Sequence, residues 1–204
     1  ERAKVKYVYN IIDIENNGQL EYVTSANWAV PLLLYSHDGS LKWKFDKKIG
    51  INGSAYADLN MDGELEFVVI TNASHGIYIL DQEGNIINHI PYVGAYDVTC
   101  ADINEDNKLE IITAEGKKIV VRDNMGNALF EKNMHDHIGY LSIMAYPTKR
   151  DTPHIIYFSG NKYVLLNDDL EPVTFFPAQS FGRFNVIPVE LKTENAPYYA
   201  FTYK

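Results

Sequence analysis

A single cysteine, Cys100, in 204 residues excludes an intrachain disulfide, a four-thiolate zinc site and an iron–sulfur cluster built within the chain. On this count the redox compartment stays open. Long apolar runs are also lacking. The longest, around 29–35, is broken by Pro31 and falls short of the ~18 residues that cross a bilayer, so no membrane insertion is expected. Basic residues are few: 18 Lys and Arg against 27 Asp and Glu leave a net charge of −9. That charge repels phosphate backbones and anionic headgroups, which argues against nucleic acid or a membrane surface as partner. Common catalytic and nucleotide-binding signatures are missing, with no G-x-S-x-G, no phosphate-cradling glycine loop and no H-E-x-x-H. Two carboxylates at glycosidase spacing can always be picked from 27, so their presence argues nothing.

Aromatic residues are plentiful, at 13%, with 15 Tyr, nine Phe and two Trp in a chain that is 46% hydrophobic. This lies far from the composition of disorder and suffices for one core that buries roughly 70% of the unfolded surface. Tyr56, Phe67, Tyr78 and Phe201, at strand positions, are expected to fill space between packed sheets. Trp28, in a loop unlike its counterparts, is a candidate for stacking on a ligand.

Self-similarity dominates the rest. IDIENNGQLEYV from Ile12, ADLNMDGELEFVV from Ala57 and ADINEDNKLEIIT from Ala101 align on Asp13, Asp58 and Asp102, spaced by 45 and 44 residues. Two further steps of 44 land on Tyr146 and Glu190, where the frame persists and the acids are lost. A second marker recurs in LYSHDGSLKW, ILDQEGNIIN, VRDNMGNALF and LLNDDLEPVT. Each reads as two apolar stretches around a turn at Gly39, Gly84, Gly126 or Leu170. Ser36, Asp81, Asp123 and Asn167 stand where a short polar side chain bonds the backbone two residues on, so each segment predicts a hairpin.

Four short apolar stretches per unit, without a sustained 3.6-residue period, predict an all-β chain: a β-propeller of four-stranded blades. The alternative, a β-sandwich, supplies no reason for a repeat of 44. The period places blades at about 5–48, 49–93, 94–137 and 138–181, with a partial fifth at 182–204, in one domain. Four full blades plus part of a fifth are expected to belong to a larger ring, completed by further residues or by another chain. The opening at Glu1, without Met or a charged-then-apolar leader, is likewise expected to follow other residues.

Eleven of the 27 acids fall in three windows, 13–21, 58–66 and 102–110, offset within them only by Lys108. Carboxylates crowded into a turn repel one another unless a cation sits among them, and oxygen donors on a flexible loop suit a hard ion such as Ca²⁺. In the second window the donors are Asp58, Asn60, Asp62, the backbone carbonyl of Glu64, and Glu66, with Gly63 at the bend. The third offers Asp102, Asn104, Asp106, the carbonyl of Lys108, and Glu110. The first offers Asp13, Glu15, Asn17, the carbonyl of Gln19, and Glu21. A helical EF-hand takes its last carboxylate from position twelve, which here is Thr24, Val69 or Thr113, so that motif is excluded. The alternative is a plain hairpin turn with its acids solvated. Units four and five put Thr148, Arg150 and Lys192 at donor positions and are expected to hold no metal.

ADLNMDGELEFVV resembles the FG-GAP and VCBS repeats of integrin α-subunit propellers and many secreted proteins. Their blades carry a Ca²⁺ loop of the form D-x-[DN]-x-D-G-x-x-[DE] between the first two strands. The third window departs from it at Asn107, which can take the left-handed backbone in place of Gly. The first puts Glu15 and Asn17 at the third and fifth positions, implying a weaker site. DGSLKWKF and EGNIINHI also resemble outer hairpins of quinoprotein-type propellers, with no other quinone-binding feature.

The resemblance implies a non-catalytic, Ca²⁺-stabilised interaction platform of a secreted or cell-surface protein, with a periplasmic setting also open, that binds protein or glycan partners. Loops useful only at millimolar Ca²⁺ point the same way. The alternatives are the propeller portion of a polysaccharide lyase or related carbohydrate-active enzyme, and an intracellular scaffold subunit with degenerate repeats. His135 and His137, flanking Asp136, would share one face of a strand; a polar loop between blades explains them as well.

Overall fold

The computed structural model describes residues 7–25, 31–72, 75–135, 138, 144–147, 153–159, 161–167, 169–177, 184–189 and 198–203. Every regular element among them is a strand. The first sheet joins β1 (Tyr7–Ile12), β2 (Glu21–Ser25), β3 (Leu32–Tyr35) and β4 (Leu41–Phe45). The second joins β5 (Ile51–Ala57), β6 (Glu66–Thr71), β7 (Ile77–Leu80) and β8 (Ile86–Ile90). The third joins β9 (Asp97–Ala101), β10 (Glu110–Glu115), β11 (Lys118–Arg122) and β12 (Ala128–Asn133). The fourth joins β13 (Met144–Pro147), β14 (Pro153–Ser159), β15 (Lys162–Leu166) and β16 (Pro172–Pro177). β17 (Phe184–Val189) and β18 (Tyr198–Tyr203) pair along their length as a two-stranded sheet. Within each sheet every strand pairs antiparallel with its neighbour in sequence. These are the expected propeller blades, four complete and one partial.

The four predicted hairpin turns form, though their leading polar side chains act differently. Asp123 accepts from the Met125 N–H two residues on, Asp81 and Asn167 accept from the Asn85 and Glu171 N–H four residues on, and Ser36 bonds the Asp38 and Ser40 side chains. Gly39, Gly84, Gly126 and Leu170 donate their backbone N–H to the carbonyls of Ser36, Asp81, Asp123 and Asn167 at 2.9, 3.0, 2.9 and 2.9 Å. The inner strand of the second blade begins earlier than its apolar pattern suggests, at Ile51, because polar Asn52 and Ser54 alternate there with buried Ile51 and Gly53. Asn52 Nδ2 is used between blades, donating to the Ala95 carbonyl at 2.8 Å.

Packing explains the apolar second strands. All six residues of β6 are buried, since a blade inside the ring has a neighbour on both faces. Phe67 and Val69 pack with Leu34, Trp43 and Phe45 of the first blade. Val68 and Ile70 pack the other way, with Val98 and Ile111 of the third. Ile112 and Ala114 of the third meet Ile155 and Tyr157 of the fourth. Each fully buried aliphatic side chain contributes about 1.5–3 kcal/mol.

Every outer strand carries a bulge at one position. Tyr35 pairs with Leu41 and Leu34 with Trp43, leaving Lys42 unpaired. Ile87, Leu129 and Val173 are the unpaired residues of β8, β12 and β16. Bulges bend a strand and re-aim one side chain. Antiparallel order puts these bulges, the hairpin turns and the loops between first and second strands at the same end of each blade, on one face of the ring.

Candidate metal centres

The three acidic windows share one backbone. Their fourth and sixth residues take positive φ: Asn16 and Gly18 at 50° and 82°, Met61 and Gly63 at 62° and 91°, Glu105 and Asn107 at 61° and 64°. Asn107 therefore adopts the left-handed conformation that the Gly-to-Asn change requires. The curl points backbone N–H groups at the first aspartate. Asp13 accepts from Asn17 and Gly18 at 2.9 and 2.7 Å, Asp58 from Asp62 and Gly63 at 3.1 and 3.0 Å, and Asp102 from Asp106 and Asn107 at 3.1 and 2.8 Å. The closing glutamates, Glu21, Glu66 and Glu110, are buried. Each accepts on Oε2 the N–H of the loop's second residue, Ile14, Leu59 or Ile103, at 3.1, 2.8 and 2.9 Å.

In the second and third loops an amide stands between the acids. Asn60 Nδ2 donates to Asp62 Oδ2 at 2.9 Å and Glu66 Oε1 at 3.1 Å, while Asn104 Nδ2 donates to Glu110 Oε1 at 3.2 Å. Asp62, Asn60 and Glu66 are thus brought together, as are Asn104 and Glu110. Glu64 and Lys108, expected to act through their carbonyls, are exposed. Burial pushes the Glu66 and Glu110 carboxyls above their ordinary 4.5, and the neighbouring aspartates, Asp62 and Asp58 or Asp106 and Asp102, push the same way against the N–H bonds.

No group of three or more Asp, Glu, His or Cys side chains that could hold a metal ion is assembled among the described residues. The donors are nonetheless all oxygen, and a carboxylate oxygen that accepts one N–H keeps a further lone pair. The set suits a hard cation once Asn60 or Asn104 turns its Nδ2 aside. From the next blade, Asn124 Nδ2 braces the second loop by donating to the Leu59 carbonyl at 3.2 Å.

The first loop is built differently. Lys42, from the bulge of β4, places Nζ 2.6 Å from Glu15 Oε1 and 3.5 Å from Glu21 Oε1, and Asn17 Nδ2 donates to Glu15 Oε2 at 2.9 Å. Burial alone would lower the Lys42 pKa, but the bond to Glu15 and the charge of Glu21 outweigh it and hold the ammonium above its ordinary 10.5. Lys42 escapes a reading of the acidic windows because it lies 27 residues from Glu15. Its signal is in the repeat frame, where Ile87 and Leu129 occupy its place. Thr148, Arg150, Lys192, Trp28 and His137 lie outside the described residues.

Successive antiparallel four-stranded blades, with their turn loops on one face, define a β-propeller, and solved structures share that architecture. The chain is similar to the Vibrio cholerae biofilm matrix protein Bap1 with a TM-score of 0.59 and 19% identity, covering 86% of this chain and 30% of that one. Its likeness to a streptogramin B lyase has a TM-score of 0.61 at 13% identity, over 88% of this chain and 57% of that one. A Bacteroides caccae protein of unknown function gives 0.56 and 12%, over 90% and 67%. The chain thus spans less than a third of Bap1 and little more than half of the lyase. No protein-family model matches it, and no curated protein matches it in sequence.

Proposed function

We propose that this chain is a Ca²⁺-stabilised, non-catalytic propeller segment of the FG-GAP/VCBS type. In this reading it belongs to a secreted or cell-surface protein and serves as a platform for protein or glycan partners within a larger ring. One observation carries it. The loops 58–66 and 102–110 repeat the same backbone and the same hydrogen bonds around a buried glutamate. Among the described residues no Lys or Arg is ion-paired with Asp58, Asp62, Glu66, Asp102, Asp106 or Glu110. Asp58, Asn60, Asp62, the Glu64 carbonyl and Glu66 would hold one ion; Asp102, Asn104, Asp106, the Lys108 carbonyl and Glu110 would hold the other. Bound Ca²⁺ would cancel the mutual repulsion of the acids and tie the two inner strands of each blade together. Similarity to a biofilm matrix protein and to a lyase is in both cases of fold alone and adds nothing for location, partners or catalysis.

Thermal melting in EDTA and in millimolar Ca²⁺ tests the reading. An ion that binds only the folded loops stabilises by about 2.7 kcal/mol per site at a hundredfold excess over its dissociation constant, so the melting temperature should rise with Ca²⁺. Asp62→Ala should then remove one ion from the calorimetric stoichiometry and leave the third loop loaded. An unchanged melt would leave the loops as acid-rich turns without an ion.

A further inference from the structure

The first blade's loop has Asn17 where the others have Asp62 and Asp106, and the blade departs from its neighbours again at two residues that meet in space. Its loop has Glu15 where the others have Asn60 and Asn104, and its outer-strand bulge has Lys42 where the others have Ile87 and Leu129. The exchange is coupled: a neutral amide goes with an apolar bulge residue, a carboxylate with an ammonium. We propose that Lys42 is the resident cation of the first loop, so that this loop takes no metal ion, and that removing the ammonium opens a third Ca²⁺ site there. The proposal rests on the reading that the second and third loops bind Ca²⁺.

Geometry places the ammonium where it does the work of an ion. Lys42 Nζ contacts the third-position carboxylate at 2.6 Å and comes within 3.5 Å of the closing one, bridging two of the five donors the loop would offer a metal. The same oxygen of the closing glutamate, Oε1, faces only a neutral amide in the other two loops. Glu21 is 2% exposed, and among the described residues Lys42 is the one basic group ion-paired with it, so a buried carboxylate would be left unpaired if Lys42 withdrew. An entering metal ion would have to break this ion pair and would then meet the repulsion of the displaced ammonium. The bulge supplies the means. As the residue left out of the β3–β4 register, Lys42 is free of the strand's strict alternation and leans over the loop face. Ile87 and Leu129, at the same bulge, are 53% and 50% exposed and carry no charge to offer. A covalently tethered cation neither dissociates nor depends on the surrounding ion concentration, so the first blade would hold its loop in chelator while the next two respond to Ca²⁺.

The test is a calorimetric Ca²⁺ titration of the full chain, freed of metal by dialysis against EDTA. Four proteins are compared: the native sequence, Lys42→Met, Lys42→Arg and the triple variant Glu15→Asn, Asn17→Asp and Lys42→Ile. The triple variant copies the third, fifth and bulge residues of the second blade, and circular dichroism reports the fold of each. Two ions for the native chain and for Lys42→Arg, with three for Lys42→Met and the triple variant, are expected. Three ions in the native chain, or two in the folded variants that lack the ammonium, would overturn the proposal. No ion in the native chain but one in those variants would sustain the role of Lys42 while refuting Ca²⁺ at the other loops; no ion in any protein would refute both. If Lys42 were only a structural pair, its loss would lower the melt in EDTA without adding an ion.

Discussion

A carboxyl group withdrawn from water resists ionisation, and if the proposed Ca²⁺ binds, the closing glutamates would put that resistance under the control of a cation. With no ion bound, Glu66 and Glu110 hold a proton more tightly in the fold than in the unfolded chain. Through the window between their ordinary 4.5 and the raised value, the folded state carries the extra proton. Stability contributed by these groups therefore falls as pH rises. On the proposed reading Ca²⁺ would bind the deprotonated form, so in its presence stability should instead climb with pH. Melts from about pH 4 to 7 in EDTA should show a downward component that Glu66→Gln reduces, since the amide oxygen still accepts the Leu59 N–H but has no proton to release. Depressed carboxyls such as Asp46, whose pKa is lowered by its bond to Lys44, slope the other way, so the decisive quantity is the difference between variant and native chain. Superimposable pH profiles would show that Glu66 does not titrate as its burial requires.

At the scale of the element, each blade grips the next through its outer strand and the following hairpin turn. Trp43 packs edge-on to Phe67, with ring centroids 5.0 Å apart at 84°. Its Nε1 donates to the Gln82 carbonyl at 3.0 Å. The indole lies so close to the turn that a Cβ on Gly84 would sit 2.7 Å from it, and a Cβ on Gly126 would sit 2.1 Å from the end of Ile90. In the fourth blade the relation inverts: Leu170, fully buried at φ 58°, supplies the bulk from the turn itself. Among the described residues Gly39, at φ 84°, meets nothing within 4 Å. Gly39→Ala should therefore cost only left-handed strain, about 1–2 kcal/mol, whereas Gly84→Ala adds overpacking for a total of roughly 2–4 kcal/mol. Denaturant melts of the two variants make the comparison, and equal losses would mean that Trp43 is not seated on the second blade's turn.

For the whole molecule the open question is closure. The turn of Gly39 is the counterpart of turns that receive Trp43 and Ile90 from a preceding blade, and among the described residues β17 and β18 form a sheet of two strands where the other sheets have four. A larger ring would seat an apolar side chain over Gly39 and add strands beside β18. Prepared alone, the chain should associate through these surfaces, since unpaired edges recruit strands, and light scattering should show a mass that grows with concentration. A monomer whose amides in β18 are protected as strongly as those in β6 would contradict this.

What the sequence determined was whatever local order could write. The period of 44–45, the hairpin turns and the alternating strands rest on contacts within one blade, and Asp58 to Glu66 could be recognised as a donor set because all its members lie in nine residues. The early start of β5 was hidden, since Asn52 looks polar until the Ala95 carbonyl 43 residues on is beside it. Only the tertiary structure decided which loop already carries a cation, which glycine must stay bare beneath an indole, and which loop is braced by Asn124 from the next blade. Lys42 reaches Glu15 across 27 residues, Trp43 reaches Gln82 across 39, and Asn124 reaches Leu59 across 65. The reason is geometric: strand pairing follows the chain, whereas Lys42 crosses its own blade from the outer strand to the inner loop and Trp43 and Asn124 join neighbouring blades, at separations that no local pattern records.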